Sequence, residues 1–316
     1  MNKKFLPVWL VITVASFFLA FQSRGSNEDN PKSKYEKILR NVGLLLEQGH
    51  YSPKPIDNKF SAEVLKRFVK EVGRLDARIE VVTTASSIPI EVGENYFSAL
   101  TKIGCTNVGI LDVRERKQAM NNTTVQRLKD TDAIMFSGGN QLRLTSIFGG
   151  TEFLNILKKR FREENFVIAG TSAGAMAMSS TMIYQGEAEK AHLKGEVKIT
   201  TGLAFIDGVI IDSHFNKRGR FARLAQAVAA NPSCIGIGLS EDTGVIITDN
   251  TRLETIGSGA VFLFDGRKIE QSNIADMEEG SPFSVENLVV HIMESGDFYH
   301  LDSHRFEMVT PQKQIA

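Results

Sequence analysis

Phe166-Val167-Ile168-Ala169-Gly170-Thr171-Ser172-Ala173-Gly174-Ala175-Met176-Ala177-Met178 is the stretch from which the fold is read. An apolar run of strand length stops at Gly170, and an Ala/Met-rich stretch follows Gly174. Between them Gly170-Thr171-Ser172-Ala173-Gly174 has the Gly-x-Ser-x-Gly pattern of a sharp strand-to-helix turn that exposes a serine. A side chain at Gly170 or Gly174 would crowd such a turn. The turn lifts the Ser172 hydroxyl above the sheet, where a carbonyl can reach it, and sets the Ala173 N–H at a helix N-terminus beside it. Five residues alone also fit a glycine-rich turn without chemistry.

Working outward, strand-like and helix-like runs alternate on the N-terminal side. Strands are expected over 78–83, 108–113 and 132–136, and helices over 61–72, 89–100, 123–128, 141–148 and 153–160. Residues 38–46 suit a first strand or a short helix. This rhythm predicts an α/β fold, a mostly parallel sheet with helices on both faces, whose ligands gather at the carboxyl ends of the strands. Ser137-Gly138-Gly139 and Ser172 both fall at such ends. On the C-terminal side, 187–197 reads as a charged surface excursion and 221–230 as a helix stopped by Asn231-Pro232. Strands are expected over 208–211, 235–239, 244–248, 253–256 and 260–264, with Asp265-Gly266 as a turn. No repeat interrupts the chain, so one catalytic domain with a β-rich C-terminal portion is expected.

A serine hydroxyl needs a base to take its proton, usually a histidine held by a carboxylate. Of His50, His192, His214, His291, His300 and His304, only His214 directly follows an expected strand end, in Asp212-Ser213-His214. Glu241 terminates another, with Asp242 and Asp212 as rivals for the carboxylate. A second oxyanion donor is expected from Gly138 or Gly139, and Gln141 opens a helix facing the same cleft. Lys217, Arg218, Arg220 and Arg223 follow His214; a solvated helix face is the ordinary reading, but arginine forks also suit the carboxylates of an acidic substrate.

Composition narrows the classes. The 316 residues, 42% hydrophobic, suffice for a packed core, and 37 basic against 37 acidic residues give no bulk basis for binding nucleic acid. Cys105 and Cys234 lie in no metal-binding cluster, so neither a structural zinc nor a cofactor is expected; two buried thiols or one disulfide fit. Met1-Asn2-Lys3-Lys4 and the apolar run 5–21 have the form of a secretory signal cleaved near residues 20–23, with a short membrane anchor as the alternative. Residues 1–23 are thus read as signal, 24–37 as linker and 38–316 as the catalytic domain, giving a secreted or periplasmic protein with no membrane association after cleavage.

Taken together, Thr84-Ala85-Ser86-Ser87-Ile88-Pro89, Phe136-Ser137-Gly138-Gly139-Asn140-Gln141-Leu142-Arg143, Gly170 to Ala175, Asp212 to Arg223 and Gly238-Leu239-Ser240-Glu241-Asp242-Thr243 resemble the cyanophycinases. These are serine peptidases in the same family as the aspartyl dipeptidases. The resemblance covers roughly residues 77–264 and implies Ser172 as nucleophile, His214 as general acid and base, and Glu241 as its orienting carboxylate. It also implies a fold similar to class I glutamine amidotransferases, and a homodimer. The implied substrate is cyanophycin, a poly-aspartate carrying arginine on its side chains, cut to β-Asp-Arg. By position Gln141, Asp212, Arg218, Arg220 and Arg223 would line the pocket, Asp212 facing a guanidinium and the arginines facing carboxylates. Other isoaspartyl or N-terminal aspartyl dipeptides, or binding without catalysis, are the alternatives. The chain departs from the family at Ser213 and Asn140, where Gln and Asp are common, and at Glu47-Gln48-Gly49-His50-Tyr51, which replaces a glycine-rich turn.

Overall fold

A computed structural model describes residues 9–14 and 59–309. Helix α1 (Lys59–Val72) places Val64, Leu65, Phe68 and Val69 on one buried face. The α/β half then runs β2 (Ile79–Val82), α2 (Pro89–Ile103), β3 (Val108–Leu111), α3 (Asn122–Lys129), β4 (Ala133–Phe136), α4 (Gln141–Phe148), α5 (Glu152–Glu163) and β5 (Val167–Thr171). Side-chain caps set the helix starts: Asn121 accepts from the Thr123 N–H and Asn140 from the Leu142 N–H.

These strands belong to a nine-stranded sheet of order β15-β14-β11-β10-β1-β5-β4-β2-β3. Here β1 is Trp9–Val14, β10 Thr243–Thr248, β11 Arg252–Gly257, β14 Phe298–His300 and β15 Arg305–Glu307. Alternate residues feed two cores. Ile79, Val81, Ala133, Met135, Val167 and Ala169 pack with α1 and α2. Val82, Ile134, Phe136 and Ile168 pack with α3, α4 and α5 on the opposite face. Helices on both faces are therefore as expected. A bidentate pair at 2.7 and 2.8 Å from Arg67 to Glu254 ties α1 to β11.

The sheet is not mostly parallel. Pairing is parallel from β3 through β2, β4 and β5 to β1, and antiparallel from β1 through β10, β11 and β14 to β15. For the β10–β11 pair the reason is local: the two are joined by a tight turn in which Asp249 and Asn250 take φ of 53° and 55°, and so short a connection permits only antiparallel pairing.

A second sheet has the order β13-β12-β9-β8, where β8 is Val209–Asp212, β9 Ile235–Leu239, β12 Val261–Asp265 and β13 Val289–Met293. Helix α7 (Phe221–Ala230) connects β8 to its parallel neighbour β9. Residues 289–307, to which the sequence alone assigns no role, complete both sheets. At the expected Asp265-Gly266 turn, Gly266–Lys268 form a 3-10 turn whose Arg267 N–H donates to the Asp265 side chain at 3.0 Å. The excursion over 187–197 is bounded by an antiparallel pair not foreseen from sequence, β6 (Thr181–Gln185) with β7 (Lys198–Thr201).

At the N-terminus, Trp9–Val14 pairs parallel with β5 and antiparallel with β10. The same residues fit a leader by composition, because a largely apolar run suits a strand within a sheet as well as a signal. The first strand or short helix expected at 38–46 lies outside the described residues. No described helix is long and apolar enough to cross a membrane.

Candidate active site

The nucleophile turn follows β5 directly. Ser172 has φ 51° and ψ −112°, a backbone conformation costing about 1–3 kcal/mol for a residue other than glycine. Packing on both sides enforces it. A Cβ on Gly170 would lie 2.5 Å from the Gly174 carbonyl carbon, and one on Gly174 would lie 2.3 Å from the Phe136 carbonyl oxygen. The following helix α6 (Ala173–Met176) is one turn long, so any dipole contribution is that of a single turn. Beyond it the chain enters a bridge between Ser179 and Ile206.

Ser172 Oγ lies 2.9 Å from His214 Nε2, and His214 Nδ1 lies 2.7 Å from Glu241 Oε1. The partners come from different sheets: Ser172 from the end of β5, His214 just past β8, and Glu241 on the connection from β9 to β10. Because β8 and β9 are parallel neighbours, their carboxyl ends open on the same side. Burial alone would raise the Glu241 pKa, but the His214 hydrogen bond and charge, with Lys217 and Arg218, hold it below the ordinary 4.5. Glu241, and neither rival carboxylate, is the group on His214. His291 stacks on Phe306, and His300 bonds Glu307 at 3.0 Å, both far along the C-terminal strands. His50 lies outside the described residues.

Gly138 backs directly onto the nucleophile, a Cβ there falling 3.3 Å from Ser172 Cβ. Gly139 takes φ 137°, and the next N–H, that of Asn140, donates to the Ala85 carbonyl at 2.9 Å. Among the described residues no backbone acceptor takes the N–H of Gly138, Gly139 or Ala173. Beneath the turn, the Tyr96 hydroxyl bonds Thr171 Oγ1 at 2.6 Å, and burial pushes the phenol up to about 12 against the opposing effect of that bond. Gln141 donates through Nε2 to the Ile183 carbonyl at 3.0 Å, which ties α4 to β6.

The basic cluster is arranged otherwise than the sequence suggests. Asp212 is fully buried, and its carboxylate accepts from Arg223 Nε at 2.8 Å, from Arg223 Nη2, from Arg220 Nη1 at 3.0 Å and from the Ser213 N–H at 2.9 Å. A buried carboxylate needs such partners, and this one has no face left for a substrate guanidinium. Arg223 is itself buried and also donates to the Gly186 carbonyl at 3.0 Å, so it does not face a substrate carboxylate. Arg220 is only 12% exposed; burial, together with Arg223 and Arg218, outweighs the pull of Asp212 and brings its pKa down to about 10. Lys217 and Arg218 remain exposed. Arg218 lines an open cleft of about 430 Å³ with Arg220, Gly186, Glu187, Ala188 and Glu189. Glu187 and Glu189 escaped the sequence reading because nothing in a charged, aperiodic loop marks which side faces a cleft. Cys105 and Cys234 are free buried thiols, and no described group of three or more His, Cys, Asp or Glu residues could hold a metal ion.

A strained serine bonded to an imidazole that is itself bonded to a carboxylate, at the carboxyl end of an α/β sheet strand, defines the class as a serine-type hydrolase. Residues 45–255 match peptidase family S51, and the chain belongs to that family of serine-type peptidases. The cyanophycinase of Nostoc sp. strain PCC 7120 is 34% identical over 245 residues, covering 78% of this chain and 82% of that protein. The cyanophycinase of Thermosynechococcus vestitus is 35% identical over 245 residues, with 78% and 76% covered. That of Geminocystis herdmanii is 32% identical over 249 residues, with 79% and 92% covered. The crystal structure of a peptidase from an acI-B1 Actinobacterium shares the fold at a TM-score of 0.54 and 22% identity, covering 72% of this chain and 92% of that one.

Proposed function

We propose that the protein hydrolyses cyanophycin to β-Asp-Arg dipeptides through an acyl-enzyme on Ser172. The observation that carries the reading is the continuous relay from Ser172 Oγ to His214 Nε2 at 2.9 Å and from His214 Nδ1 to Glu241 at 2.7 Å. Ser172 Oγ attacks the scissile carbonyl while His214 Nε2 takes its proton; Glu241 holds the imidazole and stabilises its charged form. The backbone N–H groups of Gly138 or Gly139 and of Ala173 receive the oxyanion. His214 returns the proton to the leaving amine, the C–N bond breaks, and a water activated by the same imidazole releases the acid product.

The similarity to the three cyanophycinases supports the substrate. So does the cleft, whose exposed Arg218 suits a carboxylate and whose Glu187 and Glu189 offer carboxylates to a guanidinium. In this reading the role assigned by position to Asp212 passes to Glu187 and Glu189.

Incubating the purified protein with cyanophycin is expected to release β-Asp-Arg, and Ser172→Ala to abolish release. Equal release by both proteins would overturn the mechanism, and hydrolysis of isoaspartyl dipeptides with no action on the polymer would move the substrate to those. The finer fold relationship, to class I glutamine amidotransferases, and a homodimeric state belong to the same proposal. Export does too, on the strength of the basic start and the apolar run. Cleavage near residues 20–23 would remove Trp9–Val14 from the sheet, so a processed protein and β1 as described exclude one another. N-terminal sequencing of the mature protein decides between them.

A further inference from the structure

We propose that Arg220, braced by Asp212 and Arg223, is a positioning residue that holds His214 in place, and that it is not a substrate contact. The inference rests on His214 acting as the base for Ser172.

His214 sits in the left-handed backbone region, with φ 53°, which L-residues avoid unless their surroundings impose it. The peptides on either side are both pinned. On one side the Ser213 carbonyl accepts from Arg220 Nη1 at 2.6 Å. On the other the Phe215 N–H donates to the Leu239 carbonyl at 3.0 Å, and the His214 carbonyl itself accepts the Arg218 N–H at 3.0 Å. Of these fixings, only the first is made by a side chain. The same Nη1 is bonded to Asp212, so the guanidinium joins the last residue of β8 to the peptide that enters His214. The Arg220 backbone is anchored in turn, its N–H donating to the Phe215 carbonyl at 3.0 Å.

Arg223 completes the brace. It donates to both oxygens of Asp212 and to the Gly186 carbonyl, which ties the end of β8 to the wall of the cleft. A planar guanidinium presents several donors in fixed directions, which one ammonium cannot reproduce. Asp212 keeps its Arg223 bonds when Arg220 is replaced, so the buried carboxylate stays paired and Arg220→Gln tests the pin without stranding a charge.

The test is the rate at which a small, neutral fluorophosphonate labels Ser172, measured beside kcat and KM for peptide hydrolysis and beside the thermal unfolding midpoint. The probe carries no carboxylate or guanidinium, so its reaction reports the Ser172–His214 pair and not the cleft. For Arg220→Gln the labelling rate and kcat are expected to fall together by about 10- to 100-fold, the loss that follows a misplacement on the order of 1 Å. KM is expected to change by less than about threefold. Arg220→Lys, able to reach one of the two acceptors, is expected to recover part of the labelling rate and serves if Arg220→Gln does not fold. Labelling at the wild-type rate with a raised KM would make Arg220 a substrate ligand and overturn the inference. Loss of thermal stability with labelling unchanged would make it merely structural and overturn it as well. Absence of labelling in the wild type would instead strike the nucleophile assignment itself.

Discussion

Replacing Gly174 by alanine sets a methyl group against main chain on a fixed strand. Its Cβ would stand 2.8 Å from the Phe136 carbonyl carbon and 2.3 Å from the carbonyl oxygen, the latter more than about 1 Å inside an ordinary contact of roughly 3.5 Å. Phe136 cannot retreat, because it is paired on one side with Val82 and on the other with Gly170. The nucleophile turn must therefore give way, and it carries Ser172 with it. A shift of about 1 Å breaks the 2.9 Å contact to His214 Nε2, and a displacement of that size costs on the order of 100-fold in rate. Overpacking of this kind also destabilises by about 1–3 kcal/mol. Fluorophosphonate labelling of Ser172 reads the first quantity and urea unfolding the second. A Gly174→Ala protein that labels within about twofold of wild type and unfolds at the same urea concentration would refute the claim that close packing at Gly174 shapes the turn.

Tyr96→Phe leaves buried Thr171 without its 2.6 Å partner and is expected to cost about 1–3 kcal/mol in urea unfolding; an unchanged midpoint would count against that bond. Glu241 has a folded pKa below its ordinary 4.5, so its ionised form contributes stability that is fully present above that pH and is lost as the pH falls through the folded value. The stability gap between wild type and Glu241→Gln should therefore stay level at neutral pH and close on acidification below 4.5. A gap independent of pH would refute it. Substituting both Glu187 and Glu189 by Gln is expected to raise KM for an arginine-bearing substrate more than for a neutral one, and equal effects would remove these carboxylates from substrate recognition.

Much of the parallel half was legible because its signals are local. Strand runs such as Ala133–Phe136 are short, apolar and bounded by polar turns, and the capping residues Asn121 and Asn140 each stand four positions ahead of the first buried residue of their helices. The elbow was legible because no residue but glycine fits at Gly170 and Gly174. His214 and Glu241 could be proposed from strand ends, and the resemblance sharpened the choice. What escaped depends on partners distant in sequence. Strand runs do not say which sheet they join, so β8 and β9 were not separable from β4 and β5. Asp212 looked available because its neutralisation depends on Arg223, eleven residues away in the first turn of α7. The run Trp9–Val14 has a composition that suits a leader and a buried strand equally, and periodicity does not divide the two.

That Glu241 lies on the link from β9 to β10, with Ser172 on one sheet and His214 beyond the other, makes the relay a caliper set across two sheets that share one core. Its jaws open when the layers slide, even if each layer stays intact. Core substitutions far from the cleft, between the sheets, would then silence the enzyme at temperatures where its secondary structure is undisturbed. Hydrolytic rate thus serves as a sensitive gauge of how well the two halves of the molecule are seated on each other.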